Sequence, residues 1–185
     1  MRYSIRPATL ADKSVLEALI ARSARELSVG IYTSEQVEGA LRGAFGVDTQ
    51  LIVDGTYFVV EDAGKAIACG GWSRRRTLFG SDAGAQRDAG ELDPRVDAAK
   101  IRAFFVDSAY ARQGIGTALL EHCESAAAAQ GYTRFELMAT LPGVPLYSAR
   151  GYLPDAPLEY PLNEPTPDAP RLFIGFVPMR KTVHC

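Results

Sequence analysis

Phe104-Phe-Val-Asp-Ser-Ala-Tyr-Ala-Arg-Gln-Gly-Ile-Gly-Thr-Ala-Leu-Leu120 is the stretch whose reading decides the fold. Lys100 to Val106 ends in the apolar run Ala103-Phe-Phe-Val106 and reads as a strand. A polar loop follows, and Gly114-Ile115-Gly116 opens a helix that runs from about Gly116 to Gln130. Gly131 stands where a left-handed cap would stop that helix. Its inward side is Ile115, Leu119, Cys123 and Ala126–Ala127, and Thr133 to Ala139 is the next strand. Residues 101–139 therefore form a β-α-β unit, with the rest of the chain arranged around it.

Upstream, Tyr3 to Pro7 is a short strand closed by proline. Thr9 precedes a helix whose apolar face is Leu16, Leu19, Ile20 and Leu27. Thr33 with Gln36 is a capping box that opens a second helix carrying Val37, Leu41 and Phe45. Thr56 to Val60 is β-branched and aromatic, Ala63-Gly64-Lys65 makes a turn, and Ala66 to Trp72 returns as the hairpin partner. Residues 74–97 are polar, and a stretch of that length reads as a functional or mobile loop. Six of the eleven prolines fall between Pro154 and Pro170, which argues against helix or central strand there. Leu172 to Lys181 is the last strand, with Pro178 expected near an edge. No internal repeat is present, and the pattern describes one mixed α/β sheet in a single domain over residues 1–185.

Composition narrows the function classes. The 185 residues are enough to bury roughly 70% of the unfolded surface in one core. Apolar residues at 47% and charged residues at 23% exclude disorder, collagen and coiled coil. Twenty basic against 22 acidic residues give a net charge of −2, which offers no pull toward nucleic acid or an anionic membrane. No apolar run approaches a bilayer span, and Met1 to Pro7 lacks the apolar core of a signal peptide. Cys69, Cys123 and Cys185 are far apart and odd in number, and are read as free thiols in a reducing cytosol. With only His122 and His184 available, no metal site is expected. The expectation is a cytoplasmic protein with a small-molecule pocket.

The chemistry lies in the loop before the helix. Free N–H groups at a helix start, with the helix dipole, suit a phosphate or diphosphate, and glycines let the backbone approach it closely. Arg112 and Gln113 add donors. A tight turn with close helix–sheet packing uses the same glycines, so a lone Gly-x-Gly leaves both readings open. A dinucleotide fingerprint fails on spacing: its third glycine position is Leu119, and seven residues separate Val106 from Gly114.

Two features together resemble the GNAT superfamily of N-acetyltransferases. One is Gly114-Ile-Gly116 at a helix start after a strand. The other is Tyr147-Ser-Ala-Arg-Gly151-Tyr152, a short tyrosine-bearing helix ending in a Gly–aromatic pair. The order of elements fits over nearly the whole chain. Ala111 stands where the family has Arg or Gln, Thr140 where it has Asn, and Asp107-Ser108 where a His-Pro-like turn is common. The resemblance implies an α/β (α+β) fold: a mixed, mostly antiparallel sheet with a central splayed parallel strand pair, flanked by helices. It implies acetyl-CoA as co-substrate, no metal, and direct transfer of the acetyl group to a primary amine of a small molecule or peptide.

Carried over residue by residue, the resemblance implies that Phe104, Phe105 and Val106 pair with the pantetheine arm. Arg112, Gln113, Gly114, Ile115, Gly116 and Thr117 hold the diphosphate, Thr140 stands at the strand end, and Tyr147 is the general acid. Tyr32, Trp72 and Arg102 are candidates for the acceptor side, together with Arg74–Arg76 and the 154–170 segment, although an arginine run at a strand end is ordinarily a solvated charge. No base is assigned, because Glu61 and Glu136 read as solvated strand ends and a water chain would serve equally. Nucleic acid and membrane are not expected as partners, and a homodimer is compatible with the reading. The alternatives are a non-catalytic acetyl-CoA-binding or sensing module, a transferase using another acyl-CoA, and a structural domain without a ligand.

Overall fold

The computed structural model describes residues 3–82, 90–164 and 170–183. Residues 83–89 of the polar stretch, 165–169 of the proline-rich stretch, His184 and Cys185 lie outside the described residues. Strands β1 (Tyr3–Pro7), β2 (Tyr57–Asp62), β3 (Lys65–Ser73), β4 (Ala99–Val106), β5 (Arg134–Thr140), β6 (Leu153–Pro154), β7 (Leu158–Pro161) and β8 (Phe173–Thr182) form one sheet. Its order is β1-β2-β3-β4-β5-β8-β6, and β7 also pairs with β8. Helices α1 (Lys13–Leu27), α2 (Ser34–Leu41), α3 (Thr49–Val53), α4 (Ile115–Ala128) and α5 (Val144–Ala149) cover its two faces.

Strand alternation divides the core into two clusters. Phe58 and Val60 point toward α4, where they pack with Ile115, Leu119 and Cys123. Tyr57 and Val59 point the other way, to Leu16, Leu19 and Ile20 of α1 and to residues of α2 and α3. With both faces covered, β2 and β3 read as nearly continuous apolar runs, as the sequence shows.

All pairings are antiparallel except β4 with β5, whose register is Ala99↔Phe135, Lys100↔Glu136 and Ile101↔Leu137 and goes no further. The reason is a bulge. Between Cys69↔Phe105 and Gly71↔Arg102, β4 spends one residue more than β3. Ala103 takes the surplus at φ +53, an uncommon conformation for a residue with a Cβ. Two neighbours support it. The buried Tyr57 hydroxyl donates to the Ala103 carbonyl at 3.1 Å. Gly70 leaves room where a Cβ would lie 2.5 Å from the Phe104 ring. Bulged β4 stays with β3 while β5 stays with β8, so the two strands part.

The structure differs from the sequence reading in four places. Helix α3 was not foreseen, because five residues are too few to show a period; Asp48 caps it by accepting from the Gln50 N–H at 3.1 Å. Phe45 lies beyond α2, which ends at Leu41, in a turn where its N–H reaches the Ala40 carbonyl at 2.8 Å. The proline-rich stretch does contain strands, β6 and β7, which are short and each end on a proline. Pro178 sits inside β8, with β5 on one side and β6 and β7 on the other. Its carbonyl accepts from the Asp155 N–H at 2.8 Å. The N and C=O of one strand residue point the same way, so the missing N–H falls on the side of short β6 and costs the β5 ladder nothing.

Candidate active site

The parting of β4 and β5 opens a cavity of about 570 Å³. Phe104, Phe105 and Val106 form one wall. Thr140, Pro142, Gly143 and the α5 residues Pro145, Leu146 and Tyr147 form the other, and Ser23, Ala24 and Leu27 of α1 close it above. It ends at Arg112, Gly114, Gly116 and Thr117.

That end is shaped by backbone conformation. Arg112 at φ +62 and Gly114 at φ +82 are both left-handed, and successive N–H groups in such a turn converge on one concavity. The first α4 ladder bond runs from the Ala118 N–H to the Gly114 carbonyl at 2.9 Å, so the amides of Ile115, Gly116 and Thr117 precede the ladder. The loop between β4 and this turn is tied down by Asp107, which is 2% exposed. Its carboxylate accepts from the Ala109 N–H at 3.1 Å and pairs with Arg22 at 2.8 Å and Lys65 at 3.0 Å. Burial pushes this carboxyl up, but those partners outweigh burial and it titrates below the ordinary value. Asp107 thus meets two cations, Arg22 and Lys65, while Glu26 accepts from the neighbouring Ser108 hydroxyl.

A second, smaller cavity of about 60 Å³ lies on the other side of the bulge, walled by Ala44–Gly46, Leu78–Gly80, Ile101–Phe105, Met138 and Phe176. Phe45, Phe104, Phe105, Thr140 and Tyr147 line both cavities and mark the junction. Tyr147 is held there by edge-on rings, Phe104 at 6.4 Å and Tyr152 at 5.8 Å between centroids. Burial pushes its phenol above the ordinary value, so it is a proton-bearing group throughout the neutral range. Gly143 gives the turn its room, since a Cβ there would come within 3.1 Å of Thr140 Oγ1 and 3.2 Å of the Tyr147 ring.

Of the sequence-predicted residues, Phe104, Phe105, Val106, Arg112, Gly114, Gly116, Thr117, Thr140 and Tyr147 surround the large cavity. Gln113 turns its side-chain amide back to the Ala109 carbonyl at 2.9 Å and Ile115 is buried in the α4 core, and neither residue lines the large cavity. Arg102 reaches the smaller cavity, paired with buried Asp48 at 2.7 Å and donating to the Gly80 carbonyl at 2.9 Å. Trp72 is buried edge-on to Tyr132 in the core, apart from both cavities. Tyr32 is buried too, with its hydroxyl engaged to two backbone groups.

Arg75 pairs with Asp54 at 2.7 Å, and Arg74 lies 3.5 Å from Glu91. Glu61 pairs with Arg6 at 2.6 Å and Glu136 with Lys100 at 2.5 Å, and neither residue lines either of these two cavities.

Sequence reasoning missed the α1 residues, Phe45 and the Leu78–Gly80 wall. Phe45 reads from sequence as part of the second helix, and its place in the cavity wall follows from the end of α2 at Leu41. Nothing local marks Ser23 or Ala24, whose place follows from how α1 crosses β4. Burial pushes the Cys69 thiol up to about 12 and raises Cys123 as well, so neither is a nucleophile at neutral pH. Among the described residues, no three His, Cys, Asp or Glu side chains group so as to hold a metal ion, and no helix is long and apolar enough to cross a membrane.

Comparison with known proteins agrees with this geometry. The family model described as Acetyltransferase (GNAT) family matches residues 24–152. A GCN5-related N-acetyltransferase from Rhodopseudomonas palustris superposes with a TM-score of 0.71 at 17% identity, over 99% of this chain and 97% of that one. The PaiA N-acetyltransferase of Thermoplasma acidophilum, solved in complex with coenzyme A, gives 0.65 at 16% identity, over 98% and 99%. The ribosomal-protein-S18-alanine N-acetyltransferase of Escherichia coli gives 0.57 at 17% identity, over 100% and 96%. At such identities these likenesses concern the fold. No curated protein matches the sequence.

Proposed function

Because the chain belongs to the acetyltransferase (GNAT) family, we propose that it transfers an acetyl group from acetyl-CoA to a primary amine of a small molecule or peptide. The observation that carries this reading is the meeting of the two cavities at Phe45, Phe104, Phe105, Thr140 and Tyr147. A long ligand entering from the α4 cradle and a second ligand entering from the other side would touch there and nowhere else.

The residues present fit the co-substrate. The amides ahead of the α4 ladder, with Arg112, suit the diphosphate. The backbone of Phe104–Val106, beyond its last pairing with β5, offers an extended arm the hydrogen bonds of an added strand. Acetyl-CoA supplies a thioester carbonyl. In the transfer one C–N bond forms, one C–S bond breaks, the amine gives up a proton and the sulfur takes one. Tyr147 is the donor assigned to the sulfur, and a backbone N–H near Phe105 would polarise the carbonyl.

The small volume of the second cavity supports a compact group on the acceptor. Its charged lining residue, Arg102, is already paired with Asp48, so an acceptor carboxylate would compete for it.

The test is thermal melting with acetyl-CoA, then thiol release with 2-phenylethylamine, isobutylamine, spermidine and an alanine-initiated tripeptide, and product mass. Ligand at about 100 times its Kd stabilises by roughly 2.7 kcal/mol. No shift at saturating acetyl-CoA would overturn the reading, and a shift without thiol release for any amine would favour a sensor. Tyr147→Phe should lower turnover ~10²–10⁴-fold with CoA affinity retained.

A further inference from the structure

Strands β5 and β8 pair from Arg134↔Thr182 as far as Thr140↔Phe176. The pair that would follow is Leu141 with Gly175. There a side chain stands in the ladder: the Leu141 N–H donates to the Tyr32 hydroxyl at 2.8 Å, and that hydroxyl donates to the Gly175 carbonyl at 2.6 Å. One phenol oxygen replaces a direct strand–strand bond, with both of its hydrogen-bonding capacities used.

Tyr32 comes from the connection between α1 and α2, which is itself fixed to β8 by the Gln36 side-chain amide donating to the Phe173 carbonyl at 2.8 Å. The inserted hydroxyl holds β5 off β8 by the width of an oxygen at the residue where the chain leaves the sheet for the 3-10 turn Leu141–Gly143 and then α5. Thr140, on one side of this point, lines both cavities, and Tyr147 follows one short helix later.

We propose that Tyr32 is a positioning residue for acetyl transfer: its hydroxyl, bridging Leu141 and Gly175, sets the departure of the chain from β8 and so holds the Tyr147 hydroxyl at the junction of the cavities. This rests on the role given to Tyr147 above. Tyr32 itself lines neither cavity, so it acts through the turn and not on the ligands.

The test compares Tyr32→Phe, Tyr147→Phe and the double variant, using thiol release from acetyl-CoA with the fastest amine of the panel and CoA binding by calorimetry. Tyr32→Phe should lower kcat about 10–10²-fold, the scale of a small misplacement at the reacting centre, with CoA Kd unchanged. In the Tyr147→Phe background it should lower kcat no further.

Leu141→Pro is the second variant and deletes the N–H without touching the phenol. Residue 141 is the first of its 3-10 turn, and Thr140 at ψ 151 already has the extended conformation that precedes proline. It should show the same loss. A folded Tyr32→Phe or Leu141→Pro with full turnover overturns the proposal, as does an equal loss in the Tyr147→Phe background. Full turnover in Tyr147→Phe removes the premise as well, whereas loss there with none in Tyr32→Phe defeats this inference alone.

Discussion

Substituting Gly114 by alanine separates two roles that one residue performs. Gly114 sits at φ +82 and ψ −4 at the cap of α4, and no heavy atom lies within 4 Å of the position a Cβ would take. The stability cost is therefore conformational only, about 1–2 kcal/mol for an L-residue in the left-handed region. For a chain of this size that lowers Tm by roughly 2–4 °C per kcal/mol. Gly114 lines the cavity, so the proposed diphosphate site predicts that an added methyl hinders an anion approaching the cradle amides. A tenfold loss of CoA affinity corresponds to about 1.4 kcal/mol.

The assay is melting with and without CoA at a concentration about 100 times the wild-type Kd. The wild type should gain roughly 2.7 kcal/mol, and a variant binding tenfold more weakly about 1.4 kcal/mol. Gly55→Ala is the control, since Gly55 has φ +70, equally open surroundings and no place in the cavity. It should melt lower by a similar amount and keep the full ligand increment. If Gly114→Ala also keeps that increment, the amides at the start of α4 do not hold the diphosphate.

Gly70→Ala should cost about 1–3 kcal/mol by overpacking, because its Cβ would press on the Phe104 ring, and displacement of that ring should weaken CoA binding in calorimetry. Arg102→Met should cost about 3–5 kcal/mol in denaturant melts by leaving Asp48 buried without its cation, and Asp48→Leu added to it should recover part of the loss, less the roughly 1 kcal/mol of the α3 cap that it removes. Asp12 and Asp54 titrate below the ordinary range, chiefly through their hydrogen bonds from Arg6 and Arg75. Depressed folded pKa values mean stability that is whole above the unfolded value of about 3.9 and lost as pH falls through it toward the folded values, so melts from pH 7 to 2 should stay level to about pH 5 and then decline. Asp54→Asn should shrink that decline.

The β-α-β centre, the capping box at Thr33 and the glycine turn before α4 were legible because each is a local decision. Thr33 and Gln36 satisfy each other's amides within one turn: the Gln36 N–H donates to Thr33 Oγ1 at 3.2 Å, and the Thr33 N–H to Gln36 Oε1 at 2.9 Å. Tyr32, one residue earlier, was read as a surface for the acceptor. Its partners are 109 and 143 residues away, and nothing in its neighbourhood announces them. Trp72 reads from sequence as a core or groove wall, and it is the packing of β3 against Tyr132 that places it in the core.

By itself the sequence determined the long helices and strands around the β-α-β centre, the turns between them, and that an anion could sit on the amides before α4, but not the five-residue α3 or the short β6 and β7. Apolar period, capping side chains and glycine conformation act over a few residues and survive in any context. Only the tertiary structure decided that β4 and β5 part after Ile101 and Leu137. That parting needs a bulge at Ala103, a phenol from β2 beneath it and a glycine on β3 opposite it. Three strands must meet before the gap exists, and so must the two cavities that join at Tyr147.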